Sequence, residues 1–118
     1  FMSNTNSFSG IVKILETPRS YILNKKARLT KVRVELPQKR KNKKNAIVCL
    51  IIWGNLGRQV QKFYTTNDYV LIEGYPSLRS KKNENPRLKR SKRLFITVGK
   101  IYPILLNSDR SLPKISKQ

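Results

Sequence analysis

Apolar and polar residues alternate along much of this chain with the two-residue period of β-strands. In Ala27–Leu36, apolar residues interleave with Lys31, Arg33 and Glu35, a pattern typical of a strand with one buried and one polar face. Ala46–Trp53 is continuously apolar and rich in β-branched residues, which predicts a buried central strand. The pattern therefore predicts a protein built mainly from strands.

A proline interrupts the first predicted strand. Residues 8–15 alternate partly, and we predict a strand there that continues past Pro18 to residue 23. Because proline cannot donate a hydrogen bond to a neighbouring strand, Pro18 is expected at a bulge or an edge. Residues 24–26 then form a turn into the second strand.

A short helix follows the third predicted strand. In residues 56–64 the apolar side chains recur at helical spacing, so one face, including two aromatic residues, is expected to plug the core. Residues 69–75 and 93–104 are the last two predicted strands, and Gly74 indicates a bulge or a sharp bend.

The order of these elements predicts an all-β fold with one short helix. Three strands, a helix and two strands are the arrangement of a five-stranded Greek-key barrel, the OB-fold, with the helix between strands 3 and 4. A chain of 118 residues is expected to form one domain. We place that domain at residues 8–106, with flexible termini at 1–7 and 107–118.

Positive charge dominates the composition, with a formal net charge of +20. Thirteen basic residues lie in two runs, both predicted to be long loops that flank the central strand. The first run contributes Lys39, Arg40, Lys41, Lys43 and Lys44, and the second contributes Arg79, Lys81, Lys82, Arg87, Lys89, Arg90, Lys92 and Arg93. Two basic loops around an apolar body indicate a groove for a polyanion. Nucleic acid is the commonest such partner, and an anionic membrane surface or an acidic protein is the alternative.

The remaining chemistry argues against catalysis. The chain has no histidine, one cysteine and six acidic residues, and no two of the acids form a plausible acid–base pair. No glycine-rich phosphate loop is present, and no metal or cofactor is expected. Cys49 lies within the apolar run and is expected to be a small buried hydrophobe. No segment approaches the roughly 18 apolar residues of a membrane span.

The segment from residue 47 to residue 79 resembles the core of the bacterial and organellar single-stranded DNA-binding protein family. In that family a strand ends in an aromatic residue followed by Gly-Lys or Gly-Asn, and a helix starting with leucine comes next. Residues 53–56 read Trp-Gly-Asn-Leu here, and residues 68–74 with Arg79 match the following Val-x-Val-Glu-Gly strand. Asn67 and Asp68 replace the usual Lys-Gly. The plastid-encoded members and the primosomal replication protein N branch are similar in length.

The resemblance implies binding of single-stranded DNA by base stacking and phosphate contacts. Trp53 stands where the family carries a stacking aromatic residue, and Tyr75 on the next strand is a further candidate. Two other stacking positions of the family fall on Ile47 and near Lys81, so weaker stacking is expected. The sequence ends without the family's acidic tail, so recruitment of replication and repair enzymes by such a tail is not expected.

We therefore expect a non-catalytic protein that binds single-stranded nucleic acid, preferably DNA, in support of replication or repair. The alternative is an OB-fold structural or adaptor subunit of a large ribonucleoprotein or membrane assembly, which would bind RNA or an acidic protein surface. The resemblance also implies a homo-oligomer and a location in the plastid (chloroplast) stroma, or otherwise a bacterial-type cytoplasm. Heavy use of lysine, asparagine and isoleucine is consistent with an organellar or a low-GC bacterial genome.

Overall fold

Six strands and one helix make up the fold in a computed structural model, which describes residues 7–37, 45–81 and 91–107. The strands are β1 (Phe8–Ile14), β2 (Arg19–Leu23), β3 (Ala27–Leu36), β4 (Ala46–Trp53), β5 (Tyr69–Lys81) and β6 (Ser91–Leu105), and the helix is α1 (Gly54–Phe63). A mainly β protein with one short helix is thus confirmed. The predicted count of five strands, with the helix between strands 3 and 4, was wrong, because the helix lies between β4 and β5.

The difference arises because the predicted first strand is two strands. β1 pairs with β5 and, through its last two residues, with β3, whereas β2 pairs with β3 alone in the described chain. The break falls at residues 15–18, where buried Pro18 has no N–H to donate. The chain therefore leaves β5 at this bend and turns onto the edge of β3.

The strands close into a barrel. Their order is β1-β5-β6-β4-β3-β2, and the extra pairing of β1 with β3 joins the two sides. β4 and β6 are parallel, and the other neighbouring strands are antiparallel. The core lies inside this barrel and consists of Val12, Ile14, Val32, Val34, Val48, Leu50, Ile52, Val60, Val70, Ile72, Ile96 and Val98.

Helix α1 packs against the barrel mainly through β3, with further contacts to β2 and β4. Gly57 and Val60 are its buried residues, and Tyr64 just beyond it is partly buried against the core. The helix approaches so closely that a Cβ on Gly57 would lie 2.8 Å from the carbonyl oxygen of Ile52. This close contact turns Phe63 outward, where 54% of it is exposed, so its predicted core position was wrong.

We expect Gly57→Ala to destabilise the protein by about 1–3 kcal/mol, because the new methyl group would collide with the Thr30 side chain on β3 as well as with the Ile52 carbonyl group at the end of β4. Gly99→Ala is the matched control, since the nearest atom to a Cβ there is the Glu73 carbonyl oxygen at 3.7 Å. Chemical denaturation of the two variants measures the difference. Equal unfolding free energies would contradict the tight packing of α1.

The β5–β6 pair extends into residues predicted to be loop. Arg79 lies opposite Arg93, and the pairing continues to Lys81 opposite Ser91. Arg79, Lys81 and Lys92 therefore belong to strands, which corrects their predicted loop position, and Arg93 lies in β6 as predicted. Antiparallel hydrogen bonding carries the strands onward even though the residues there are mostly polar.

The irregularity predicted at Gly74 is confirmed. The β5–β6 register shifts between Glu73 and Gly74, and Gly99 is the extra residue on β6. A Cβ on Gly74 would collide with the Thr97 carbonyl group, so this position requires glycine. The start of β5 is fixed by Asp68, a buried carboxylate that accepts hydrogen bonds from the Thr65 and Asn107 backbone N–H groups, at 2.8 and 2.7 Å.

Candidate nucleic-acid interface

One outer face of the sheet gathers basic and aromatic side chains from five strands. Directly opposed residues on neighbouring strands point to the same side of a sheet. One such row joins Arg19, Lys31, Ile51, Thr97 and Tyr75, and the next joins Arg33, Cys49, Phe95 and Ser77. We call this surface the basic face and define it by Arg19, Tyr21, Lys31, Arg33, Ile47, Cys49, Trp53, Tyr75, Arg79, Arg93 and Phe95.

A groove of about 550 Å³ runs along the basic face. Basic side chains from two strands, β3 and β6, line it together with an apolar floor. The lining includes Lys31, Arg33, Ile47, Cys49, Arg93 and Phe95. Cations beside an apolar, ring-bearing floor fit the phosphate and the base of a nucleotide respectively.

Trp53 stands at one end of this face, where β4 passes into α1. It is 47% exposed and lies opposite buried Leu29, which is in turn opposite Tyr21. Gly54 has a φ of 68°, a backbone conformation that glycine adopts without strain, and it turns the chain into the helix directly after Trp53. The Trp-Gly pair thereby leaves the indole ring partly exposed at the strand end. Tyr75 lies on β5 with 63% exposure.

Phe95 is an aromatic residue of this face that sequence reasoning did not assign. It lines the groove, and the Arg79 guanidinium group lies 5.1 Å from the centre of its ring. Such a cation–π contact holds the guanidinium group over the ring and within reach of a ligand on the sheet. Arg79, which was among the predicted binding residues, is thus placed beside an aromatic surface.

Arg33 is held by a carboxylate from the bend between β1 and β2. Its Nε and one terminal nitrogen lie 3.1 Å from the same Glu16 oxygen, and its backbone N–H donates to the other oxygen at 3.0 Å. Hydrogen bonding to Arg33 lowers the pKa of Glu16, so this carboxyl group is ionised at neutral pH. Glu16 orients Arg33 and offsets part of its charge, while Lys31 and Arg93 complete the basic lining.

Cys49 does not belong to the core. It lies on the groove side of β4, opposite Arg33 on β3 and Phe95 on β6. Because Cys49 is only half-buried there, the prediction of a buried hydrophobe was wrong. In β4 the even-numbered residues point into the core and the odd-numbered residues point to the basic face. Because both sets are apolar, the sequence pattern did not show on which side Cys49 lies. Burial raises the pKa of the Cys49 thiol, which therefore reacts slowly at neutral pH.

The structure brings part of the predicted site together. Trp53, Tyr75, Arg79 and Arg93 all lie on the basic face, and Lys81 and Lys92 lie in the paired ends of β5 and β6. The other predicted residues lie outside the described part of the chain: Lys39, Arg40, Lys41, Lys43, Lys44, Lys82, Arg87, Lys89 and Arg90. Lys31 and Arg33 were not predicted to bind, although their alternation with core residues already marked them as outward-facing.

Two negative findings concern the described residues alone. No helix among residues 7–37, 45–81 and 91–107 has the length and apolar character needed to cross a membrane. No group of three or more potential metal ligands occurs within those same ranges.

Comparison with known proteins relates both the sequence and the fold to one family. The chain is 39% identical over 104 residues to "Putative single-stranded DNA-binding protein ycf41" of Trieres chinensis, a match that covers 87% of this chain and 92% of that protein. No family model matches the chain.

Solved structures show the same fold at lower sequence identity. The SSB domain of a Synechococcus protein superposes with a TM-score of 0.62 at 22% identity, covering 86% of this chain and 99% of that domain. The second single-stranded DNA-binding protein (SSBb) of Mycobacterium smegmatis gives a TM-score of 0.61 at 22% identity, covering 83% of this chain and 87% of that one. The match with the Trieres protein extends over nearly the full length of both chains, and the barrel is that of SSB domains. The chain therefore belongs to the single-stranded DNA-binding protein family.

Proposed function

We propose that this protein binds single-stranded DNA along the basic face, without catalysing a reaction. The observation that carries the proposal is the register of β3, β4, β6 and β5. It sets Trp53, Phe95 and Tyr75 among Lys31, Arg79 and Arg93 on one surface. Aromatic rings interleaved with cations are what a flexible strand of bases and phosphates requires.

Each part of the face has a separate role in this proposal. Bases stack on the exposed rings, which is tolerant of sequence because every base has a π-face. The cations contact phosphates and release counterions, which makes binding depend steeply on salt. Glu16 and Glu35 share this side of the sheet, and basic residues outnumber them among its described side chains. The basic residues at 39–44 and 82–90 would add further phosphate contacts.

Cys49 provides a direct test, because it is the chain's one cysteine and lies within the groove. We expect a bound dT oligomer to slow alkylation of Cys49 by N-ethylmaleimide at least about tenfold, since a strand across Phe95 covers the thiol. The rate is measured at neutral pH, where maleimide reacts with the thiol in preference to the protonated lysine amines of the chain. Mass spectrometry of the intact protein follows the reaction.

High salt is the control for this experiment, because it releases the oligomer and should restore the rate seen with protein alone. If fluorescence anisotropy shows the oligomer bound while Cys49 reacts at an unchanged rate, DNA lies elsewhere and the basic face is not the site. If no oligomer binds even at low salt, the adaptor function expected as the alternative gains support.

The setting and assembly form part of the same proposal. We extend the proposal to a role in plastid DNA replication or repair, and the single-stranded DNA binding named for the protein of Trieres chinensis supports its binding part. A homo-oligomer is supported by a partly apolar outer surface of β1, β5 and β6, where Ile11, Tyr69 and Tyr102 are 45%, 37% and 43% exposed. A second copy of the chain would cover these side chains, and sedimentation velocity measures the resulting mass directly.

A further inference from the structure

We infer that the protein has a separate pocket for one unstacked base, with a preference for guanine, at the edge of the basic face. The inference rests on the proposed binding of single-stranded DNA. A cavity of about 230 Å³ lies where β1, β5 and β6 meet. We call it the corner pocket, and the side chains and backbone that matter are those of Phe8, Glu73, Gly74, Tyr75, Gly99 and Lys100.

The corner pocket is continuous with the basic face through Tyr75. This residue lies in the row of Lys31 and Thr97 on the basic face, and it also lines the pocket. Its ring is 63% exposed. A strand that follows the face toward β5 therefore reaches the pocket without leaving the protein surface, and the volume is below that of ordinary small-molecule sites, which suits a single base.

The shape of the corner pocket favours a flat ligand such as a nucleotide base. Two glycines, Gly74 on β5 and Gly99 on β6, leave bare backbone at the register shift between the strands. Exposed Tyr75 provides an aromatic wall, and Phe8 lines the pocket from β1 beside Gly74. A base inserted between backbone and the Tyr75 ring gains stacking contacts that a phosphate would not.

The charged side chains of the corner pocket favour guanine over thymine. Glu73 and Lys100 lie directly opposite each other across β5 and β6, so the pocket offers an anionic acceptor beside a cationic donor. The Watson–Crick edge of guanine presents two adjacent N–H donors, which match both oxygens of a carboxylate, next to an oxygen that can accept from lysine. Thymine presents one N–H between two carbonyl groups and meets the same carboxylate less well. Glu73 also repels phosphate, which keeps the backbone outside.

The test compares dT12 with a set of dT12 oligomers that each carry one dG at a different position, measured by fluorescence anisotropy at low salt. We expect dG at one or a few positions to tighten binding about tenfold, as for a good pair of hydrogen bonds to a base edge. Gly99→Leu should abolish the preference by filling the pocket, since a Cβ there meets no atom closer than the Glu73 carbonyl oxygen at 3.7 Å. Glu73→Gln should abolish it by removing the carboxylate.

Gly99→Ala is the control and should keep the preference, and all three variants should bind dT12 within about twofold of the unmodified protein. Circular dichroism and thermal unfolding verify that each variant is folded. If no dG-containing oligomer binds more tightly than dT12, or if the preference survives both Gly99→Leu and Glu73→Gln, the corner pocket is not a base site. That result leaves the proposed function standing, whereas failure of the unmodified protein to bind dT12 would remove both.

Discussion

Replacing Lys31 and Arg93 together by glutamate should weaken binding to single-stranded DNA on the order of 100-fold at low salt. Both side chains line the groove on the basic face, and the substitutions replace two phosphate contacts by two repulsions. Since each contact with a single strand contributes about 0.7 to the slope of log K against log salt, that slope should also become shallower by about 1.4. A titration with fluorescein-labelled dT oligomer across a salt series measures both effects.

The matched control is Arg58→Glu with Lys62→Glu on the exposed side of α1. This pair changes the net charge by the same amount but lies outside the lining of the groove. We expect it to weaken binding by no more than about threefold, through the general field of the protein. If both double variants lose affinity equally, binding depends on net charge and the basic face has no special role.

Trp53→Ala should cost about 1–3 kcal/mol of binding free energy, the range for one stacked base, and Trp53→Phe should recover most of it. The exposed indole ring at the end of β4 can stack with a base without rearrangement of the core. Stability should change little, because half of the side chain is already in solvent. Anisotropy with labelled oligomer gives the affinity, since these variants lack the intrinsic fluorophore.

Phe63→Ala is the control for Trp53→Ala. Phe63 is a similarly exposed aromatic residue on α1, away from the basic face. Unchanged affinity in Phe63→Ala beside a loss in Trp53→Ala supports stacking at the end of β4. An unchanged affinity in Trp53→Ala would show that Trp53 contributes no stacking and that the cations and other rings bind the strand.

The sequence pattern predicted an element correctly where the hydrophobic periodicity of that segment alone determines its structure. β3 and β4 begin and end at the predicted residues, because strict alternation and a β-branched apolar run are properties of the segment itself. The helix was also predictable, but its orientation was not. Gly57 gives no hydrophobic signal, yet it permits the closest approach to the barrel and so turns Phe63 into solvent.

Other features depend on contacts between distant segments. The split of the first strand follows from its two different partners, β5 for β1 and β3 for β2. The extension of β5 to Lys81 and of β6 back to Ser91 follows from the pairing of these two strands with each other. The sequence did not show which side of β6 Phe95 faces, because its neighbour Leu94 is also apolar. The pairing of Phe95 with Cys49 on β4 places Phe95 on the groove side.

The most direct test of single-stranded DNA binding on the basic face is a titration of the protein with dT and rU oligomers over a range of salt concentrations, with Trp53 emission as the signal. Trp53 is the one tryptophan, so its quenching reports a base at the end of the basic face. We predict quenching by the dT oligomer and an affinity that falls steeply with salt. Absence of dT binding at low salt, or binding that leaves Trp53 emission unchanged, would contradict the proposed stacking of single-stranded DNA on this face.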